Sequence, residues 1–121
     1  MKLPHQFNKR ILLAVSGMSP QILTETLYAL SVVNQDCPYI PTDIHLITTQ
    51  EGARRASLEL LHFKTGKFYQ FCADYGFNAI QFDEQNIHVI TDKQGQVLDD
   101  IVTPEQNEAA ADFITDMVSH I

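Results

Sequence analysis

The chain has no tryptophan, two cysteines, five glycines and five prolines, and its 8 Lys and Arg residues are outnumbered by 15 Asp and Glu. Each shortage excludes something. Two thiols, Cys37 and Cys72, are too few for a disulfide framework and lack metal-ligand spacing, so both read as structural. A formal net charge of -7 argues against a protein that tracks long nucleic acid, because such faces concentrate Lys and Arg to displace counterions. A small anionic ligand held by local backbone N–H groups stays open. No run approaches the ~20 apolar residues of a membrane span, and the first residues lack the basic-then-apolar order of a secretory signal. The expectation is a cytoplasmic protein without a membrane partner. There is neither a three-glycine dinucleotide fingerprint nor a Walker lysine.

What is present is 121 residues with 45% hydrophobic content, the size of one compact domain. An apolar run over residues 10–15 reads as a strand buried on both faces. Ser19 followed by Pro20 fits an N-cap with proline in the first helical position, starting a helix over about 20–32 whose stripe is Leu23, Leu27 and Leu30. Asp36, Pro38 and Pro41 break the chain before a β-branched strand over 43–49. Thr48 and Glu51 have capping-box spacing, and Ala53, Ala56, Leu60 and Leu61 then fall on a helix over about 52–62. The βαβα opening predicts parallel strands with their carboxyl ends on one edge.

A third helix over about 67–75 turns Phe68, Phe71 and Cys72 inward and ends at Gly76. Residues 79–82 are a short strand candidate. Two strands, 87–91 and 96–98, flank the turn signal of residues 92–95, predicting a β-hairpin. Thr103, Pro104 and Gln106 make the strongest helix start in the chain. That helix carries Ala110, Phe113, Ile114, Met117, Val118 and Ile121 to the last residue with no following strand, so the expectation is a domain incomplete at its C-terminus, finished by further chain or by a partner.

The chemistry concentrates at the first turn. Ser16, Gly17, Met18, Ser19 and Pro20 stand between a buried strand and a helix N-terminus, where hydroxyls, free N–H groups and the helix dipole favour anions; structural capping and turning account for the same residues. Ligands of open α/β sheets sit beyond the carboxyl strand ends, which adds Thr48, Thr49 and Gln50 to the pocket. Arg54, a turn into the next helix, has the reach for a phosphate, whereas Arg55 points about 100° away. Elsewhere the signals are structural. Thr65, Gly66 and Lys67 lack the rest of a phosphate loop, and the five histidines are scattered without metal-ligand spacing. Asp83, Glu84, Asp99 and Asp100 read as a solvated rim. No metal and no cofactor is expected.

Residues 11–30, with Ser16-Gly17-Met18-Ser19-Pro20-Gln21 at their centre, resemble the opening of the CRISPR-associated CARF-domain family of type III ring nucleases. The likeness recurs at 46–52, 86–90 and 100–114. It implies a Rossmann-like CARF domain over 1–121 with a largely parallel sheet, helices on both faces and a β-hairpin. It also implies a homodimer binding a cyclic oligoadenylate, most often the tetramer, across its two-fold axis. Catalytic members of such a family need no metal, because an adenosine 2′-hydroxyl attacks its own 3′-phosphate while the protein positions the groups and stabilises charge. On this likeness Ser16 would act at the scissile ribose or phosphate, Gly17 to Gln21 would cradle phosphate, and Thr49 and Gln50 would bind the ring. Two departures stand out: Val102 replaces a usual arginine, and the chain stops before a basic Gly-Gly-Arg-Lys segment. The competing functions are a non-catalytic sensor or sponge for the same ring, and a ligand-free assembly subunit.

Overall fold

A computed structural model describes residues 7–92, 94–98, 101 and 103–120. The β-branched and leucine-rich runs form three strands, β1 (Ile11–Val15), β2 (Asp43–Thr48) and β3 (Ile87–Val89). They pair in parallel in the order β1-β2-β3, with Val15 beside Ile47 and Ile47 beside His88. Between them lie α1 (Gln21–Tyr28), α2 (Gln50–Glu59) and α3 (Lys67–Tyr75), and α4 (Pro104–His120) follows the hairpin. The fold is thus α/β with a Rossmann-like open parallel sheet. Among the described residues no helix is long and apolar enough to cross a membrane.

Strand alternation sorts the side chains into two layers. Leu12, Ala14, Ile44, Leu46 and Ile87 point to one face and join Leu23, Leu27, Ala56, Leu60, Phe68 and Phe71 of the first three helices. Ile47 and Leu13 point to the other and join Ile90, Leu98 and Ala110, with Phe113, Ile114 and Met117 of α4 packed against them. Strand order explains the division. Successive same-handed crossovers that step one way across a sheet leave their helices on one face. α4 lies on the other face, packed on Ile47 and Ile90. The carboxyl ends of β1 and β2 form the edge beyond which open α/β sheets bind their ligands.

Several expectations need correction. β1 is an edge strand among the described residues: its first four residues are half-buried and Val15 is 48% exposed. The strand buried on both faces is β2, where Ile44, Leu46 and Ile47 are fully enclosed. Residues 79–82 form only a bridge, Gln81 to Asp43, with Gln81 N–H donating to Thr42 O at 2.8 Å and Ile44 N–H donating to Gln81 O at 3.0 Å. The first helix spans the expected length, but its last turn, Ala29–Val33, widens to a π-helix.

Other expectations hold, the hairpin only in part: the first expected strand ends at Val89, residues 96–98 form no strand, and one antiparallel bridge, Thr91 to Val97, is closed by Asp92 N–H to Gln96 O at 2.9 Å, with Gly95 left-handed at φ 81°. α3 ends on Gly76 at φ 73°. Thr103 and Gln106 cap each other, side chain to backbone, at 3.1 and 3.0 Å. Lys93, Asp99, Asp100, Val102 and Ile121 lie outside the described residues, and with them the expectations placed on them.

Candidate functional site at the carboxyl ends of β1 and β2

The β1–β2 ladder runs one residue past β1, with Ser16 N–H donating to Ile47 O at 3.0 Å. That bond fixes Ser16 at the sheet edge and sends the chain into the turn toward α1. Ser16 is only 9% exposed, and its Oγ is shielded from solvent with no hydrogen-bond partner. Among the described residues it is the one such buried side-chain oxygen or nitrogen. Gly17 and Ser19 are exposed, Met18 half-buried and Pro20 buried. The expected Ser19 cap is shifted: α1 begins at Gln21 with Pro20, already at helical φ and ψ, in the cap position and no side-chain bond closing the turn. Gln21 is exposed at this start.

The second loop is tied to the first. Thr48 Oγ1 donates to Gly17 O at 3.1 Å, and its carbonyl accepts from Ile90 N–H at 2.9 Å. Thr49, not Thr48, caps α2, accepting Gly52 N–H on its Oγ1 at 3.1 Å. The expected Thr48–Glu51 capping box is therefore not formed: the cap moves one residue on, and Gly52 in the third helical position has no side chain to bond back. Extended backbone at Thr49, φ -78° and ψ 172°, has the geometry of an N-cap. Both threonines are fully buried with their hydroxyls engaged in the fold; here they hold the loops in register. Gln50 is exposed, and its N–H donates to Leu98 O at 2.7 Å, joining the hairpin to the start of α2.

Gly52 is the residue that sequence reasoning undervalued. A Cβ there would collide with Thr48 Oγ1 and with the backbone oxygen of Gly17. Its missing side chain lets the first turn of α2 lie against the first loop. A glycine in a helical first turn, a position glycine disfavours, was the available signal.

Charge at the α2 start is set by a cluster of three. Arg54 and Arg55 both donate to Glu51, Arg54 in a two-pronged arrangement. The hydrogen bonds from Arg54 lower the Glu51 carboxyl to about 2, so it is ionised at neutral pH. One carboxylate against two guanidiniums leaves one positive charge in excess. Arg54, expected to reach a phosphate, has its exposed guanidinium engaged by Glu51. Arg55, expected to point away, shares the same carboxylate.

Two further features lie outside the predicted set. His45 Nδ1 and His88 Nε2 are 2.9 Å apart, their rings stacked at 5.2 Å, on the sheet face that carries α4. Neighbouring strands bring them together, which histidine spacing along the chain cannot show. A groove of about 520 Å³ opens between the hairpin and the start of α4, lined by Asp92, Gln94, Gln96, Glu105 and Glu108 over Val97 and Leu98. It does not include Ser16 to Gln21. Among the described residues no three His, Cys, Asp or Glu side chains group as a metal-ligand set.

The family model for CRISPR-associated protein NE0113 (Cas_NE0113) matches residues 19–121. The chain belongs to this family. The match takes in the second loop, the hairpin and α4 of the NE0113-family chain, whereas Ser16 to Met18 precede it. No curated protein and no solved structure matches the chain.

Proposed function

We propose that this CRISPR-associated protein binds a cyclic oligoadenylate, most readily the tetramer, at the carboxyl ends of β1 and β2, and cleaves it by metal-independent attack of a ribose 2′-hydroxyl. Its role is to switch off type III antiviral signalling in the cytoplasm. The observation that carries the reading is the unpartnered Ser16 hydroxyl. Buried polar groups are nearly always satisfied, and an orphan costs about 1–3 kcal/mol. This one sits at the carboxyl end of β1, between the starts of α1 and α2, and a ribose or phosphate oxygen would satisfy it. Family membership and the resemblance of residues 11–30 to CARF ring nucleases support the nature of the ligand.

The residues divide the work. Ser16 holds the reacting ribose or phosphate, and Gly17, Met18, Ser19, Pro20 and Gln21 wrap the phosphate against the α1 start. Gln50 and Arg54 approach the ring from α2, and Thr48 and Thr49 keep the two loops together. Attack in line by the 2′-hydroxyl on the adjoining phosphorus breaks the bond to the 5′-oxygen and leaves a cyclic phosphate. The protein contributes position and charge stabilisation. A homodimer presents two such loops to one symmetric ring. Because Ser16 Oγ is shielded, binding requires the groups that cover it to shift.

That shielding also favours a second reading, a sponge or sensor that holds the ring without cutting it. Labelled cyclic tetra-adenylate incubated with the protein in EDTA separates the two. Linear products with a cyclic-phosphate end are expected, with a Ser16→Ala variant at least about 10-fold slower. Bound but intact ring establishes the sponge. Absence of binding to tri-, tetra- and hexa-adenylate rings removes both and leaves the assembly-subunit reading, which light scattering then tests.

A further inference from the structure

The turn between α2 and α3 carries the most exposed large apolar side chain among the described residues, Phe63 at 80%. The turn is not slack. His62 Nδ1 accepts the backbone N–H groups of Lys64 and Thr65 at 3.2 and 3.3 Å, Gly66 N–H donates to His62 O at 2.8 Å, and the His62 and Phe63 rings stack at 5.1 Å between centroids. A ring held in place loses little freedom when it docks. Beside it stand Lys64, whose Nζ lies 5.5 Å from the Phe63 ring centroid, and the exposed Lys67. Among the described residues neither lysine pairs with a carboxylate. An apolar knob flanked by two cations is thus presented by a chain whose net charge is -7.

The groove between the hairpin and α4 has the matching surface. Val97, 47% exposed, and Ala109 give it apolar contact, and Glu105 and Glu108 stand exposed along α4, in no ion pair among the described residues. Its volume of about 520 Å³ is ample for one ring, since a cavity of roughly 150 Å³ holds benzene. Within one molecule knob and groove lie at opposite ends of α2. The groove is at its start, where Gln50 N–H donates to Leu98 O, whereas the Phe63 turn follows its 10 residues, about 15 Å away along the helix. We infer that the groove receives the Phe63 turn of a second copy of this chain, the ring against Val97 and Ala109, with Lys64 and Lys67 facing Glu105 and Glu108. Unlike patches meeting head to tail leave a knob and a groove open at the two ends, so the contact propagates beyond a dimer. It uses no residue from Ser16 to Gln21 and is independent of the ligand proposed above.

Sedimentation velocity of the ligand-free protein over a range of concentrations tests it. A contact built on one aromatic side chain and two ion pairs is small, so association is expected to be weak, growing with concentration and receding as salt screens the charges. Phe63→Ser, a change at an exposed site, should leave the urea midpoint in place and weaken the association at least about 10-fold. A Lys64→Glu, Lys67→Glu variant and a Glu105→Lys, Glu108→Lys variant should each lose it, because like charges then face one another. Mixed in equal amounts the two variants should regain it, an acidic turn meeting a basic groove and a basic turn an acidic one. A wild-type protein of constant size over the whole range, association that survives Phe63→Ser, or a mixture no larger than its components overturns the inference and leaves turn and groove to partners of other sequence.

Discussion

At Gly52 an absent methyl group determines how two loops meet. A Cβ would meet the Thr48 hydroxyl and the Gly17 carbonyl oxygen, and the second is backbone that moves only with its loop. Gly52→Ala is therefore expected to cost about 1–3 kcal/mol by overpacking, read as a lowered urea midpoint. Helix propensity alone predicts the opposite sign, since alanine outranks glycine in a helix; an unchanged or raised midpoint would show that the contact yields. The thiols give a second residue-scale expectation. Cys37 is exposed, whereas Cys72 is half-buried and burial raises its thiol pKa. Iodoacetamide at neutral pH is expected to label Cys37 well before Cys72, as peptide mass mapping would show, and equal labelling would mean that α3 opens readily.

At the element scale, α2 shows what local sequence can and cannot convey. Its existence was legible from Ala56 and Leu60 at helical spacing, as α3 was from Phe68 and Phe71, and the Thr103–Gln106 box announced α4 outright. Its cap was misread by one residue because Thr48 and Thr49 are chemically alike; which of them leaves the strand is decided by the β2 register and the Thr48 bond to Gly17. Likewise β1 and β2 are similar apolar runs, and only strand order makes one an edge and the other the centre. The candidate loop could be named from Ser16 to Pro20, but the orphaned hydroxyl depends on three-dimensional enclosure. One consequence of the α2 start is measurable. Glu51 falls to about 2, chiefly through hydrogen bonds from Arg54, from an ordinary value of 4.5. A folded-state pKa below the unfolded one adds stability that is present above about 4.5 and lost as pH falls toward about 2. Carbon-detected NMR of the Glu51 carboxyl should show that low midpoint, and Arg54→Gln should bring it up; a midpoint near 4.5 in the wild-type protein would dissolve the cluster. Because the group is exposed, the accompanying change in stability is expected to be small.

On the scale of the whole molecule, the parallel sheet divides helices α1 to α3 from α4, and the His45–His88 pair joins β2 to β3 on the α4 side of it. Burial first, and the charge of His45 second, lower the pKa of His88 from its ordinary 6.5. In the pair one ring nitrogen donates and the other accepts, an arrangement that two protonated imidazoles cannot keep. The unfolded chain therefore binds a proton at His88 more readily than the folded one. Stability from this source is complete above about pH 6.5 and is lost as the pH drops toward the folded-state value. Acidification acts on the rest of the molecule in the other direction, since a chain with net charge -7 repels itself less as carboxylates and histidines take up protons. The two effects separate by comparison with a His88→Gln variant, which keeps hydrogen-bonding capacity without titrating. Urea midpoints measured from pH 8 to pH 5 should fall more steeply in the wild-type protein than in the variant, the curves diverging below about pH 6.5. Parallel curves would mean that the pair opens without cost, and would remove the histidines from any account of what holds β3 against β2.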